Sequence, residues 1–213
     1  MVETNGRNFD LLTLGQVLLR LSPPDNERLS RGDTFVKQVG GAELNVAVGA
    51  ALLGLHTGVI SKLPAHDIGS FMKGKIRSFG VSDDFFMYDQ SPAARVGIYY
   101  YENGAYPRKP KVIYDRNHSS FFSLDIDEIP EEVYTASKCF HTTGITLALN
   151  EDIRETTIEM IKRFKAAGTL VSFDVNFRGN LWTGDQAREC ILRILPYVDI
   201  FFCSEDTARL TFL

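Results

Sequence analysis

The chain has 213 residues, of which 44% are hydrophobic and 23% are charged. This balance is that of an ordinary globular protein and excludes disorder over most of the length. The length suits one α/β domain with at most a small appendage. The formal net charge is −4, and the sequence has no dense run of Lys and Arg, so nucleic acid is excluded as the main ligand.

The cellular compartment is predicted from the N-terminus, the apolar runs and the cysteines. Residues 1–8 carry no apolar signal core, and no apolar run approaches the roughly 20 residues that a membrane span needs. Cys139, Cys190 and Cys203 lie far apart and form no CxxC or Cys/His metal spacing. We therefore expect a cytoplasmic protein with three buried thiols, no metal site and no membrane partner.

The predicted elements begin with short strands at residues 9–14, 17–21 and 34–39. The hydrophobic period then changes to three and four residues, which predicts a helix over 43–55. Later apolar runs predict strands, and amphipathic segments that end at Gly or Pro predict helices. These strands are at 57–61, 84–88, 95–101, 111–115, 139–141, 169–175 and 198–203, and the helices are at 67–79 (starting at Asp67 or Ser70), 151–167 and 184–195.

The alternation of strands and helices predicts a mostly parallel sheet that is covered on both faces. Ligands bind such sheets at the carboxyl ends of the strands. This rule points to Gly15, to Gly144 (predicted to end its strand), to residues 176–178 and to Ser204.

A second, smaller sheet is predicted from the aromatic and β-branched segments. Residues 95–101 and 111–115 have the pattern of an antiparallel pair with one open face, and residues 102–104 are the predicted turn between them. Together with 17–21 and 34–39, they are predicted to form this separate sheet.

Two adjacent glycines, Gly40 and Gly41, stand between a predicted strand and a predicted helix. Glycines in this position allow the backbone to approach a ligand closely, and the amides of the helix N-terminus favour a hydroxyl or an anion. A plain tight turn explains the same two residues. The spacing is not the GxGxxG of dinucleotide-binding proteins, so an oxidoreductase is a distant alternative.

The longer string around these glycines is more specific. It runs Gly40-Gly41-Ala42-Glu43-Leu44-Asn45-Val46-Ala47, then Leu53-Gly54, Gly58-Val59-Ile60-Ser61-Lys62, Asp67-Ile68-Gly69 and Phe79-Gly80-Val81. This order resembles the ribokinase-like (PfkB) carbohydrate kinases. The resemblance covers residues 1–213 as a partial domain and implies a Rossmann-like, mostly parallel sheet flanked by helices. It also implies a small β-sheet lid from about 17–39 and 95–116, and the absence of the C-terminal part of the fold.

Three further motifs narrow the resemblance. They are Val112-Ile113-Tyr114-Asp115-Arg116-x-x-Ser119, His141-Thr142-Thr143-Gly144-Ile145 and Asp174-Val175-Asn176-Phe177-Arg178-x-x-Leu181-Trp182. Each is similar to a segment of the 2-keto-3-deoxygluconate kinases. The resemblance implies that the substrate is bound by Gly40, Gly41, Asn45, Tyr99, Tyr114, Arg116, Ile145 and Arg178, and the nucleotide by Asn176 and Ser204.

The chemistry of these side chains agrees with a sugar acid. An Asn amide both donates and accepts hydrogen bonds to hydroxyls, and an Arg presents a planar donor fork to a carboxylate. Each type also has a structural alternative. Asn45 can bond to local backbone, the tyrosines can pack within a sheet, the arginines can form surface ion pairs, and Ser204 is preferred as a helix N-cap.

Two positions depart from the family pattern. Gln16 stands where related kinases often carry an acidic residue, which changes part of the expected hydroxyl recognition. Ser204 and Thr207 occupy the Asn and Glu positions of the family's Asn-x-x-Glu motif, which weakens the case for Mg-phosphate binding there.

The implied reaction is the phosphorylation of a sugar acid such as 2-keto-3-deoxygluconate, with ATP and Mg as cofactors of the complete enzyme. In this family the catalytic Asp and the glycine-rich anion hole lie beyond the position of Leu213. We therefore expect no catalytic residue in 1–213 and no kinase activity from this chain alone. The alternative is a non-catalytic module that binds a sugar acid or forms a homo-oligomer through its lid sheet. Gluconate-type and galactonate-type acids both remain open.

Overall fold

The structure is a computed structural model that describes residues 6–212. Its strands, in chain order, are β1 (Phe9–Leu14), β2 (Leu18–Ser22), β3 (Val36–Gly40), β4 (Thr57–Pro64), β5 (Val81–Ser82), β6 (Phe86–Asp89), β7 (Gly97–Glu102), β8 (Lys111–Asp115), β9 (Ser137–Thr143), β10 (Leu170–Asp174) and β11 (Ile200–Phe202). Its helices are α1 (Ala42–Leu52), α2 (Asp67–Ser78), α3 (Val133–Ala136), α4 (Gly144–Leu147), α5 (Glu151–Ala166), α6 (Gly184–Ile194) and α7 (Glu205–Phe212).

The larger sheet has seven strands within the described residues. Its order is β11-β10-β9-β1-β4-β5, and β6 pairs with the second half of β4. All of these pairs are parallel. The predicted mostly parallel sheet is therefore present.

The smaller sheet, which we call the lid, has the order β3-β2-β7-β8. Its outer pairs are antiparallel, and β2 runs parallel to β7. The predicted turn at 102–104 is wrong, because β7 continues to Glu102. Ala105 and Arg108 are bridged to each other, which places the turn at Tyr106 and Pro107.

Helices pack on both faces of the larger sheet. Adjacent residues of a strand point to opposite faces, and the neighbours Val59 and Ile60 of β4 belong to two different buried clusters. The cluster of Val59 includes Leu44 of α1 and Met72 of α2. The cluster of Ile60 is larger and is built mainly with α4, α5 and α6.

Most helix ends lie close to their predicted positions. The helix predicted to reach residue 55 ends at Leu52, because Gly54 adopts φ 90° and its N–H turns back to bond the Ala51 carbonyl. Gly144 does follow β9 directly, yet it begins α4 rather than a loop. The short turns at Ser120–Ser123, Ile126–Glu128 and α3 were not predicted, because each is too short to show a period.

The cysteines differ in part from the prediction. Cys190 is buried, whereas Cys139 and Cys203 are only partly buried. Burial raises the pKa of the Cys139 and Cys190 thiols to about 11, so both are protonated and unreactive at neutral pH. Within residues 6–212, no helix combines the length and the apolar character needed to cross a bilayer.

Candidate functional site

A cleft of about 440 Å³ lies between the carboxyl edge of the larger sheet and the inner face of the lid. This is the edge at which parallel α/β sheets bind ligands. The loops after β1 and β10 and the first turns of α1 and α4 form its floor, and alternate residues of β2, β7 and β8 form its roof. The residues that line it are Gln16, Leu18, Arg20, Gly41, Ala42, Glu43, Asn45, Tyr99, Tyr101, Val112, Tyr114, Arg116, Ile145, Asn176, Arg178, Asn180 and Leu181.

The two glycines of the first motif have different roles. Gly41 is the N-cap of α1 at φ 150°, and a Cβ there would lie 2.8 Å from the Gln16 carbonyl oxygen. Only glycine therefore fits at Gly41, where the backbone lines the cleft. Gly40 does not line it, and its missing side chain makes room for the hydroxyl of Tyr99.

Asn45 lies one turn into α1 and its exposed side chain faces the cleft. Its backbone N–H donates to the Gly41 carbonyl. Its side-chain amide makes no hydrogen bond within residues 6–212, so the alternative of an amide bonded to local backbone is not seen there. The amide is available to hydroxyls of a ligand.

Glu43 is the one carboxylate among the lining residues, and it is only 2% exposed. Its Oε1 accepts hydrogen bonds from the hydroxyls of Thr143 (2.6 Å) and Thr146 (2.8 Å). Burial raises the pKa of Glu43, and the two threonine hydroxyls oppose that rise. Glu43 had no predicted role, and the signal for one was its position in the first turn after Gly41.

The hydroxyl of Thr143 links Glu43 to Ile145. Its hydroxyl donates to Glu43 and accepts from the Ile145 N–H at 3.1 Å, which caps α4. The Ile145 amide is therefore already engaged, and Ile145 contributes an apolar side chain to the cleft.

Tyr99 and Tyr114 are direct partners in the β7–β8 register, with ring centroids 5.9 Å apart. Both line the cleft from the lid. Burial raises the pKa of Tyr99, so its hydroxyl stays protonated. Half of Tyr114 is exposed. Two adjacent rings with hydroxyls can cover the carbon face of a ligand and donate to its oxygens.

Arg116 and Arg178 enter the cleft from two different loops. Arg116 is partly buried and donates from Nε to Gln16 Oε1 at 2.8 Å, and this burial lowers its pKa. Arg178 is exposed and donates to the Phe177 carbonyl at 3.1 Å. Neither forms an ion pair with a carboxylate of residues 6–212, so the surface ion pairs that were the alternative are not seen there.

Asn176 and Ser204 are placed differently. Asn176 lines the cleft at φ 38°, with its N–H bonded to Asp174. Ser204 does not line it. The Ser204 Oγ accepts from the N–H of Thr207 at 3.2 Å and bonds its hydroxyl at 3.0 Å. Ser204 is therefore an N-cap of α7, as its sequence position favoured.

Arg20 is a cleft residue that the motifs did not indicate. Its guanidinium stacks 4.3 Å from the centre of the Tyr101 ring, and its Nε donates to Ser22. Arg20 and Tyr99 are register partners on β2 and β7. The available signal for Arg20 was its position on β2, two residues after Leu18 and therefore on the same face of the strand. The cleft thus contains three arginines and one buried carboxylate.

The described part of the chain contains no cluster of potential metal ligands. Among residues 6–212, no three acidic, histidine or cysteine side chains lie close enough together to hold a metal ion. We therefore derive no step through a metal ion.

A parallel sheet whose ligand-binding edge lies under a small lid sheet, with hydroxyls, amides and guanidinium groups in the cleft, defines a ribokinase-like α/β protein. The family described as pfkB family carbohydrate kinase matches residues 8–212. The chain belongs to that family.

Individual relatives are also similar. The 2-dehydro-3-deoxygalactonokinase of Haloferax volcanii is 37% identical over 200 residues, which cover 94% of this chain and 62% of the relative. The crystal structure of the 2-dehydro-3-deoxygluconokinase of Thermotoga maritima has a TM-score of 0.90 at 34% identity, covering 95% of this chain and 62% of its own. A fructokinase of Xylella fastidiosa with bound ATP has a TM-score of 0.75 at 25% identity, covering 90% of this chain and 56% of its own. The chain thus spans about 60% of the length of such relatives.

Proposed function

We propose that this chain is the sugar-binding part of an ATP-dependent kinase that phosphorylates a 2-keto-3-deoxy sugar acid. The observation that carries the proposal is the pair Arg116 and Arg178, which face one cleft without a carboxylate partner in the described residues. A partly buried Arg116 and an exposed Arg178 that face the same polar cleft are expected to bind an anion. The relatives that act on dehydro-deoxy sugar acids support the same class of substrate.

In this proposal each part of the cleft binds one part of the substrate. Arg116 and Arg178 bind the carboxylate. Asn45 and the backbone at Gly41 bind hydroxyls. Tyr99 and Tyr114 cover the carbon chain and donate to the keto oxygen, while Ile145 closes the apolar side. Gly40 serves only by making room for Tyr99.

ATP is proposed as the phosphoryl donor, on the strength of the family and of the relative with bound ATP. Asn176 is the proposed contact on the nucleotide side, since it lines the cleft at the carboxyl edge of the sheet. Ser204 caps α7 outside the cleft and is not proposed for that role. Phosphoryl transfer depends on positioning and on stabilising negative charge, and the cleft arginines supply part of both.

We propose that this chain alone does not transfer phosphate. Glu43 is the one carboxylate lining the cleft in the described residues, and it is held by two threonine hydroxyls with a raised pKa. Because Oε1 accepts from both threonine hydroxyls and Oε2 lies against Gly15, this carboxylate is not placed to take a proton from a substrate hydroxyl. Phosphorylation of a sugar acid by the 213-residue chain and ATP would contradict this part of the proposal.

Calorimetry tests the substrate class. We expect the chain to bind 2-keto-3-deoxygluconate more tightly than fructose, which lacks the carboxylate. Arg116→Ala should weaken binding of the acid by about tenfold or more, as expected for a lost hydrogen bond to a charged group. Arg28→Ala, at an exposed residue of the connection between β2 and β3 and outside the cleft, is the matched control and should leave both affinities unchanged. Equal affinity for acid and neutral sugar would sink the proposal, as would no binding at all.

A homo-oligomer formed through the lid is a second proposal, favoured by the outer face of that sheet. Phe35, Val36 and Ile113 are 44–47% exposed, and Phe35 packs edge-on against Tyr100, the register partner of Ile113. An apolar face of this kind on exposed edge strands favours pairing between copies. Sedimentation should show a dimer that Ile113→Glu converts to a monomer. A monomeric wild type would reject it.

A further inference from the structure

Gln16 follows β1 directly and is 3% exposed, yet its side chain bonds entirely to the loop that follows β8. Its Nε2 donates to the Arg116 carbonyl at 3.1 Å and to the Ser119 hydroxyl at 2.6 Å. Its Oε1 accepts from Arg116 Nε at 2.8 Å. One buried amide therefore holds both the backbone and the side chain of Arg116.

The hydrogen bond to Gln16 uses only the Nε of Arg116, so the terminal amino groups are left for other partners. Nε is the inner N–H of the group, and the two terminal amino groups make no hydrogen bond within residues 6–212. No carboxylate of those residues lies within ion-pair distance of it. Arg116 lines the cleft, so its terminal amino groups are available to a bound anion.

The side chain of Gln16 is uncharged, which leaves the positive charge of Arg116 available to a bound anion. A carboxylate in its place would sit at hydrogen-bonding distance from Arg116 Nε, and the two opposite charges would attract strongly in a partly buried site. The amide accepts the same hydrogen bond without cancelling the charge.

We propose that Gln16 is a positioning residue for Arg116, and that its neutral amide reserves the guanidinium charge for an anionic group of the substrate. The inference deepens the proposed function and rests on it in one respect, namely that the anion is the carboxylate of a sugar acid. Gln16 also joins the end of β1 to the end of the lid, so the position of the lid and the position of the anion site are coupled.

The first experiment needs no ligand. In ¹⁵N-arginine-labelled wild-type chain, the Nε–H signal of Arg116, assigned by its loss in Arg116→Ala, should exchange slowly with water. Gln16→Met removes the acceptor and should make that exchange at least about tenfold faster, because the N–H loses its hydrogen bond. Gln38→Met, the same substitution at a residue of β3 outside the cleft, should leave the exchange rate of the Arg116 Nε–H unchanged. An equally slow signal in Gln16→Met would overturn the proposal.

The second experiment separates positioning from a purely structural role. Binding of 2-keto-3-deoxygluconate is measured by calorimetry for wild type, Gln16→Met, Arg116→Ala and the double variant. We expect Gln16→Met to weaken binding about tenfold in the wild-type background and less than about twofold in the Arg116→Ala background. Equal losses in both backgrounds would mean that Gln16 acts on the fold and not through Arg116, and would overturn the proposal.

Gln16→Glu tests the charge and replaces Gln16→Met if that variant fails to fold, as judged by thermal unfolding. It keeps an acceptor for Nε, so the slow Nε–H signal should persist while affinity for the acid falls about tenfold. Unchanged affinity would refute the role of neutrality. If the wild type binds no sugar acid, the proposed function fails, whereas the exchange measurement still decides whether Gln16 holds Arg116.

Discussion

The carboxylate of Glu43 accepts a 2.6 Å hydrogen bond from the hydroxyl of Thr143, 100 positions later in the chain. This contact joins the first turn of α1 to the junction of β9 and α4. These are the two segments that carry Asn45 and Ile145 into the cleft. The geometry of the floor of the cleft therefore depends on one buried acid.

The charge state of Glu43 should make stability depend on pH. Burial raises its pKa above the ordinary value of 4.5, so between those two pKa values the folded chain binds more protons than the unfolded chain. The free energy of unfolding therefore falls as pH rises through that window. Glu43→Gln removes this dependence while keeping an acceptor for both threonine hydroxyls.

Urea unfolding of wild type and Glu43→Gln between about pH 4 and pH 8 measures the effect. We expect the stability of the wild type relative to the variant to decline as pH rises. Glu132→Gln, at an exposed carboxylate, controls for the loss of one acidic group and should run parallel to the wild type. A relative stability of Glu43→Gln that does not change with pH, or that changes in the opposite direction, would show that the folded state does not disfavour the charged form.

A side chain at Gly15 should destabilise the protein as long as Glu43 is present. Its φ is not positive, so the constraint is purely steric: a Cβ would collide with the Glu43 carboxylate. Gly15→Ala should destabilise the protein by about 1–3 kcal/mol, the usual penalty of overpacking. In a Glu43→Ala background the collision disappears, and the added penalty should fall below about 1 kcal/mol.

The wild type, Gly15→Ala, Glu43→Ala and the double variant are compared by urea denaturation. Gly49→Ala is the matched control, because a Cβ there meets nothing within 4 Å. It lies inside α1, where Ala is favoured over Gly by about 0.5–1 kcal/mol. Additive losses for Gly15→Ala and Glu43→Ala would argue that the two residues do not compete for space.

The sequence predicts the regular parts of this fold because their signals are local. The apolar run of β1 and the three-and-four spacing of α5 each identify an element within one window. The motif residues Asn45, Tyr99, Tyr114, Arg116 and Arg178 lie at one cleft. Strand patterns predicted that Tyr99 and Tyr114 lie on paired strands and that residues 176–178 lie at a ligand-binding edge, but only the resemblance to a family indicated that all five residues would meet.

The contacts that organise the site could not be predicted in this way. Gln16 bonds residues 100 and 103 positions later, and Glu43 does the same. Nothing in the local sequence distinguishes such an amide or acid from one that faces solvent. The turn was predicted at residues 102–104 instead of at Tyr106 and Pro107 for a related reason. β7 extends through Glu102, whose carboxylate accepts a hydrogen bond from Arg108.

Ser204 should behave as a helix cap and not as a nucleotide ligand. Its hydroxyl is bonded to Thr207, and Glu205 and Asp206 occupy the first turn of α7. Two acidic side chains at a helix N-terminus complement its dipole but repel a phosphate. Ser204→Ala should therefore cost about 1 kcal/mol of stability and leave ATP affinity unchanged.

Asparagine is an equally good cap, so Ser204→Asn should recover the stability that Ser204→Ala loses. Thermal unfolding and ATP calorimetry on the three chains distinguish the two roles. If Ser204→Ala weakens ATP binding about tenfold while its unfolding is unchanged, then Ser204 contacts the nucleotide and the capping interpretation is wrong. If stability falls and returns with Asn at constant ATP affinity, the hydroxyl acts through the backbone of α7, and nucleotide contacts of this chain must be sought at the carboxyl edge near Asn176.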